Sequence, residues 1–146
     1  MTDALDLTGE IAAALDTAVL RGDTPVLGYV DADGHAALSF RGSTHVHNSQ
    51  QIAVWARNPD AGLAKEIAAR PTVSLLYFSA TGPGPRYLSI RGRAHVDPAA
   101  NDEVYAKMAE IERERDAGRK GVAVIIDVDT VIGFGTDGQF KQERAA

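Results

Sequence analysis

Two stretches bring together residue types that could hold an anion. In Ser39-Phe-Arg-Gly-Ser-Thr-His45, strand alternation puts Ser39, Arg41, Ser43 and His45 on one face. Further on, Ala53, Trp55 and Arg57 share a face, and Arg57 leads through Asn58 into the start of a helix. Guanidiniums and hydroxyls beside the outward-pointing N–H groups of a helix start offer donors and positive charge together. The competing expectation is that Arg41 and Arg57 pair with surface acids such as Asp60, which would also repel a phosphate from that first turn. Trp55, Tyr77 and Tyr87 could each meet a ligand or simply fill core and strand positions.

The histidines are His35, His45, His47 and His95. His45 and His47 alternate on a strand and point to one side, which could make a two-ligand metal site. No carboxylate lies beside them in sequence and metal sites normally use three or four ligands, so the expectation is no metal: a polar sheet face or a contact between copies. Cysteine is absent, which excludes disulfides, thiolate metal sites, iron–sulfur clusters and Cys nucleophiles. Dinucleotide-binding and phosphate-loop glycine signatures are missing, as are His-Glu-x-x-His and Gly-x-Ser-x-Gly. The net charge of −5 argues against a general nucleic-acid or anionic-membrane binder. Met1 to Asp6 holds two acids and no basic leader region, and no apolar run approaches a bilayer span. A cytoplasmic location without a membrane partner is expected.

The elements that must position these residues read as one unit of 146 residues, a single domain over 1–146. A helix over 8–21 has Ile11, Leu15, Ala18 and Val19 at helical spacing, with Thr8 as N-cap and Gly22 as stop. Pro25 to Val30 and Ala36 to Val46 read as antiparallel strands joined by an Asp31-Ala-Asp-Gly34 turn. Ile52–Arg57 is a third strand, followed by a short helix with Leu63, Ala64, Ile67 and Ala68 on one face, ended by Pro71. Thr72–Ser79 and Arg86–Val96 are the fourth and fifth strands; the fifth turns Arg91, Arg93, Tyr87, Ser89 and His95 one way and Leu88, Ile90 and Ala94 to the core. Asp97-Pro98 starts a helix that buries Val104, Met108 and Ile111 and leaves Glu110, Arg113, Glu114 and Arg115 to solvent. Val122–Phe134 is the last strand, buried on both faces at Val122–Ile126, and 135–146 is a short tail. The first three strands are joined too tightly for parallel crossovers. The fold class is therefore mainly β with flanking helices: a closed or nearly closed six-stranded antiparallel barrel.

The order of Trp55-Ala-Arg-Asn-Pro59, Gly62–Ile67, Arg70-Pro71-Thr-Val-Ser-Leu-Leu-Tyr-Phe78 and Leu88-Ser-Ile-Arg-Gly-Arg-Ala-His-Val96 resembles the pyridoxamine 5′-phosphate oxidase-like family over about residues 24–134. That resemblance implies a split β-barrel homodimer holding flavin mononucleotide (FMN) in grooves at the subunit interface. It implies an oxidoreductase in which the flavin passes hydride to or from a small molecule while the protein binds and orients it. The family holds the phosphate with strand Arg, Ser and Thr residues and a Ser-Arg-Lys segment at the start of the helix after the third strand. Here that segment reads Ala61-Gly62-Leu63, with Lys65 the nearest base. The cofactor-binding set expected instead is Arg41, Ser43, Trp55, Arg57, Asn58, Lys65 and Arg91. One alternative is the deazaflavin coenzyme F-420, whose long anionic tail would suit a groove lined by Arg41, Arg57, Lys65 and Arg91. Another is a non-catalytic flavin- or haem-binding protein, with His45, His47 or His95 as an axial ligand.

Overall fold

The computed structural model describes residues 2–146. Nine strands form one sheet: β1 (Thr2–Ala4), β2 (Val26–Val30), β3 (Ala36–Phe40), β4 (His45–Asn48), β5 (Gln51–Ala56), β6 (Thr72–Phe78), β7 (Tyr87–Val96), β8 (Val122–Gly135) and β9 (Gly138–Glu143). The main path runs β1-β9-β8-β7-β6-β2-β3, and β5 branches from β8 to carry β4. All pairings are antiparallel except β1 with β9.

The expected six-stranded barrel is corrected in two ways. The sheet is not closed, because β3 pairs with β2 and β4 with β5, and among the described residues no ladder joins β3 to β4. The continuous strand expected over 36–46 breaks at Arg41–Thr44, where Arg41 N–H donates to Pro25 O and Thr44 N–H returns to Arg41 O. The C-terminal tail is also a strand: β9 pairs with β8 from Thr130 to Gly135 and carries β1 on its far edge.

The β2–β3 hairpin forms as its Asp-Gly step dictates, with Gly34 at φ 83°. Helix α1 is shorter than expected, Glu10–Asp16, followed by a 3-10 turn that stops at Gly22 in the left-handed region. Thr8 does not cap it; its hydroxyl and N–H bond Asp6 instead. Helix α2 (Gly62–Glu66) has only five residues. The helix expected after Pro98 is three pieces: a 3-10 turn, α3 (Asn101–Lys107) and α4 (Glu110–Glu114), broken where Met108 and Ala109 turn extended. That break turns Ile111 outward, half-exposed, against the expected buried stripe.

Two cores result. The main one lies inside the curl of the sheet and under α1 and α2, from Leu7, Ile11 and Leu15 through Leu27, Val54, Leu75 and Ile90 to Val124 and Ile126. A second, smaller core lies on the opposite face of β5 and β8, where Ala53, Trp55, Ala123 and Ile125 meet Val104 and Met108. Strand β8 is buried on both faces at Val122–Ile126 because a core sits on each side of it.

Candidate anion and cofactor site

The break between β3 and β4 opens a hollow of about 180 Å³, lined by Thr24, Phe40, Arg41, Gly42, Ser43, Trp55, Arg57, Glu112 and Arg115, with Val19 at its edge. A second hollow, of about 390 Å³, adjoins it through Arg41 and Arg57 and continues past Asn58 to Ala61, Gly62 and Leu63. Five of the seven residues expected from sequence therefore come together: Arg41, Ser43, Trp55, Arg57 and Asn58. Lys65 is exposed on α2, and Arg91 is exposed on the outer face of β7 between Ser74 and Thr130; neither lines these hollows.

Arg41 is the electrostatic centre. Its Nε donates to Ser39 Oγ at 3.0 Å, and the rest of its guanidinium has no protein acceptor among the described residues. Its pKa is pushed down, first by desolvation, against the opposing influence of Tyr29, and further by the like charge of Arg57. Arg57 is exposed and likewise has no ion-pair partner among the described residues. The pairing with Asp60 allowed by the sequence is thus not made. Two neighbouring guanidiniums, one of them half-desolvated, favour an anion between them.

Ser43 is held from two sides. Its Oγ accepts the Trp55 N–H at 2.9 Å, bridging the gap in the ladder, and its carbonyl pairs with His45 Nδ1 at 2.9 Å. The hydroxyl proton stays free to donate into the hollow. Trp55 is 4% exposed: its ring meets Tyr105 edge-on at 5.3 Å and its indole N–H donates to Asp116 Oδ2 at 2.9 Å. It lines the hollow as a wall fixed by the second core. Asn58 Oδ1 accepts the Asp60 N–H at 3.0 Å and shapes the turn before α2. With five residues, α2 adds little dipole, so the arginines carry the site's charge.

Glu112 and Arg115, paired at 3.1 Å, are the members sequence reasoning missed. Arg115 is exposed, as its helix face predicts, and still borders the hollow. Both reach the hollow because the excursion after β7 folds back, and no local pattern in the sequence encodes that return. Gly42 admits Glu112: a Cβ there would lie 2.5 Å from its Oε1.

A hollow larger than either, about 410 Å³, lies elsewhere, between the N-terminal segment and the β8–β9 turn. Asp3, Asp6, Glu10 and Asp137 line it and no Lys or Arg does, the wrong electrostatics for an anionic cofactor.

The architecture is that of the pyridoxamine 5′-phosphate oxidase-like, FMN-binding split-barrel proteins. The chain is similar to a pyridoxamine 5′-phosphate oxidase-related, FMN binding protein of Nostoc punctiforme, at 12% identity and a TM-score of 0.63 over 89% of this chain and 84% of that one. It is similar to HupZ of Group A Streptococcus, at 14% identity and a TM-score of 0.58 over 88% and 94%. General Stress Protein 26 of Bacillus anthracis matches at 20% identity and a TM-score of 0.57 over 80% and 88%. At such identities the likeness is one of fold. No family model matches the sequence, and no curated protein is significantly similar to it. Among the described residues, no helix is long and apolar enough to cross a membrane.

Proposed function

We propose that the chain binds FMN at the hollows around Arg41 and Arg57 and acts as an oxidoreductase on a small molecule. The observation that carries this reading is the pair of guanidiniums free of acidic partners, set beside the Ser43 hydroxyl in adjoining hollows large enough for a ligand. They fit the phosphate of a flavin nucleotide, and they do so without the family's Ser-Arg-Lys segment, which is Ala61-Gly62-Leu63 here. When bound, a flavin supplies hydride transfer at its ring. This chain's residues then have three tasks. Arg41 and Arg57 hold the anionic end, Ser43 donates a hydrogen bond, and the Trp55 wall with Phe40 excludes water from one side.

The deazaflavin coenzyme is the second reading, favoured by the length of the joined hollows and by a third guanidinium, Arg115, at the far end. Adding FMN, the deazaflavin coenzyme and haem separately to the purified protein, and recording the absorption spectrum, distinguishes the three by band shape. A shifted flavin spectrum that is lost in Arg41→Ala/Arg57→Ala supports the first reading. Retention of FMN by that double variant, or uptake of none of the three, overturns the site assignment.

A homodimer belongs to the same proposal. Phe40, Val26 and Leu76 lie side by side across β3, β2 and β6, and Phe78, Tyr87 and Phe134 across β6, β7 and β8. Phe40 is 76% exposed and Phe78 64%, an apolar outer face that a second copy would cover. Phe40 also lines the smaller hollow, so that face borders the site.

A further inference from the structure

Among the described residues, the only buried side-chain polar atoms without a hydrogen-bond partner are His45 Nε2 and His47 Nδ1. Both belong to His45-Val46-His47 on β4, and neither has a task in the cofactor reading. Val46 faces the main core, so both rings turn to its other side, where His45 sits opposite Ala53 of the second core. The register of β4 against β5 slips between Val46 and Asn48, placing His47 at a bulge, a distortion that re-aims a side chain.

His45 is 4% exposed. With its Nδ1–H donated to the Ser43 carbonyl at 2.9 Å, its Nε2 becomes a bare lone pair facing inward. A ring N–H given to a backbone carbonyl, with the other nitrogen open, is the arrangement that orients a metal-bound imidazole. We propose that His45 Nε2 and His47 Nδ1 form a two-imidazole site for a borderline divalent transition-metal ion, Cu²⁺, Ni²⁺ or Zn²⁺.

Two nitrogens leave positions to be completed by water, so this is an open site rather than a closed structural one. The donor set excludes Mg²⁺ and Ca²⁺, which take oxygen ligands, and the order of affinities places Cu²⁺ first. Two charged groups bear on His45 from neighbouring elements. Asp16 at the end of α1, fixed by the Val46 N–H at 2.8 Å, favours a cation, and Lys107 at the end of α3 opposes one. His47, less buried than His45, lies on the side by which an ion would enter.

The test is calorimetric titration of the untagged full chain with Cu²⁺, Ni²⁺ and Zn²⁺ near neutral pH, with imidazole nitrogen shifts read by NMR. The expected result is one ion per chain, with shifts at His45 Nε2 and His47 Nδ1. His47→Ala and His45→Gln each weaken binding at least about tenfold, and Lys107→Met tightens it several-fold. Because His45→Gln disturbs a buried position, His47→Ala at a less buried one decides the matter if the first variant does not fold. The exposed group Asp31, Asp33 and His35 is the competing ligand set, read through Asp33→Asn. Saturation only at millimolar ion, binding unchanged in His47→Ala, or binding lost in Asp33→Asn instead would overturn the proposal.

Discussion

Removing the Asp116 carboxylate should release the wall of the candidate site from behind. Asp116 Oδ2 accepts the Trp55 indole N–H at 2.9 Å and the Gly121 N–H at 2.8 Å, and Oδ1 accepts the Lys120 N–H at 3.0 Å. Hydrogen bonds to a charged acceptor contribute about 1.5–3 kcal/mol each, and a partly solvated carboxylate delivers less than the sum. Asp116→Ala also strands the indole donor. We expect a loss of about 2 kcal/mol, which for a chain of this size lowers the melting temperature by roughly 5–8 °C. Urea unfolding followed by the fluorescence of Trp55, the only tryptophan, reads the loss and the loosened indole together.

Burial tends to raise the Asp116 pKa, but the Trp55, Lys120 and Gly121 donors and the nearby Arg57 hold it below the ordinary value of 3.8. Its folded-state pKa is thus depressed, so the contribution is fully present above 3.8 and fades as pH falls through the lower folded value. The gap between the natural chain and Asp116→Ala should therefore be constant near neutrality and narrow only below 3.8. A stability change within about 0.5 kcal/mol, the range of an inconsequential surface substitution, would refute the reasoning. So would a gap that stays constant at low pH.

Arg41→Ala/Arg57→Ala should weaken FMN binding by about 3 kcal/mol or more, roughly a hundredfold, because it removes two charge-assisted hydrogen bonds to the phosphate; fluorescence quenching of the flavin measures it. Gly121→Ala would set a Cβ 2.4 Å from Ala56 O and 2.5 Å from the Trp55 indole nitrogen. Since the carbonyl cannot yield, it should cost about 1–3 kcal/mol in a urea melt. Phe40→Asp/Phe78→Asp should turn a dimer into a monomer by light scattering while leaving the circular dichroism unchanged; an unchanged mass would show that this face is not the interface.

Strand identity was legible wherever alternation met burial. Thr72–Phe78 alternates one for one between exposed and buried, and Leu88, Ile90 and Ala94 point to the core as their spacing demands. The split near Gly42 was not legible, because Ser39-Phe-Arg-Gly-Ser-Thr-His45 keeps strand alternation through the break; only the pairing of each half with a different neighbour cuts it. Gln139 to Glu143 reads as polar tail because β9 sends only Phe140 against the main core and needs little apolar content to pair with β8. At the candidate site, residue type and strand face anticipated that Arg41 and Arg57 would lie together. Arg115 and Glu112 depend on a fold-back of the chain with no local signature, and Arg91 lies away from these hollows because distance around the sheet is invisible in one dimension.

Strand β8 bonds to β5 and β7 along its first half and to β7 and β9 along its second, so it is the seam through which the branches of the sheet are joined. Of the earlier strands, β5 and β7 must wait for residues 122–135 to complete their pairing, and the partner that β5 awaits is far away in the chain. Such distant pairing makes folding slow. A nascent chain halted at residue 121 should remain open to protease along its whole length, and one halted after residue 135 should become resistant in a single step.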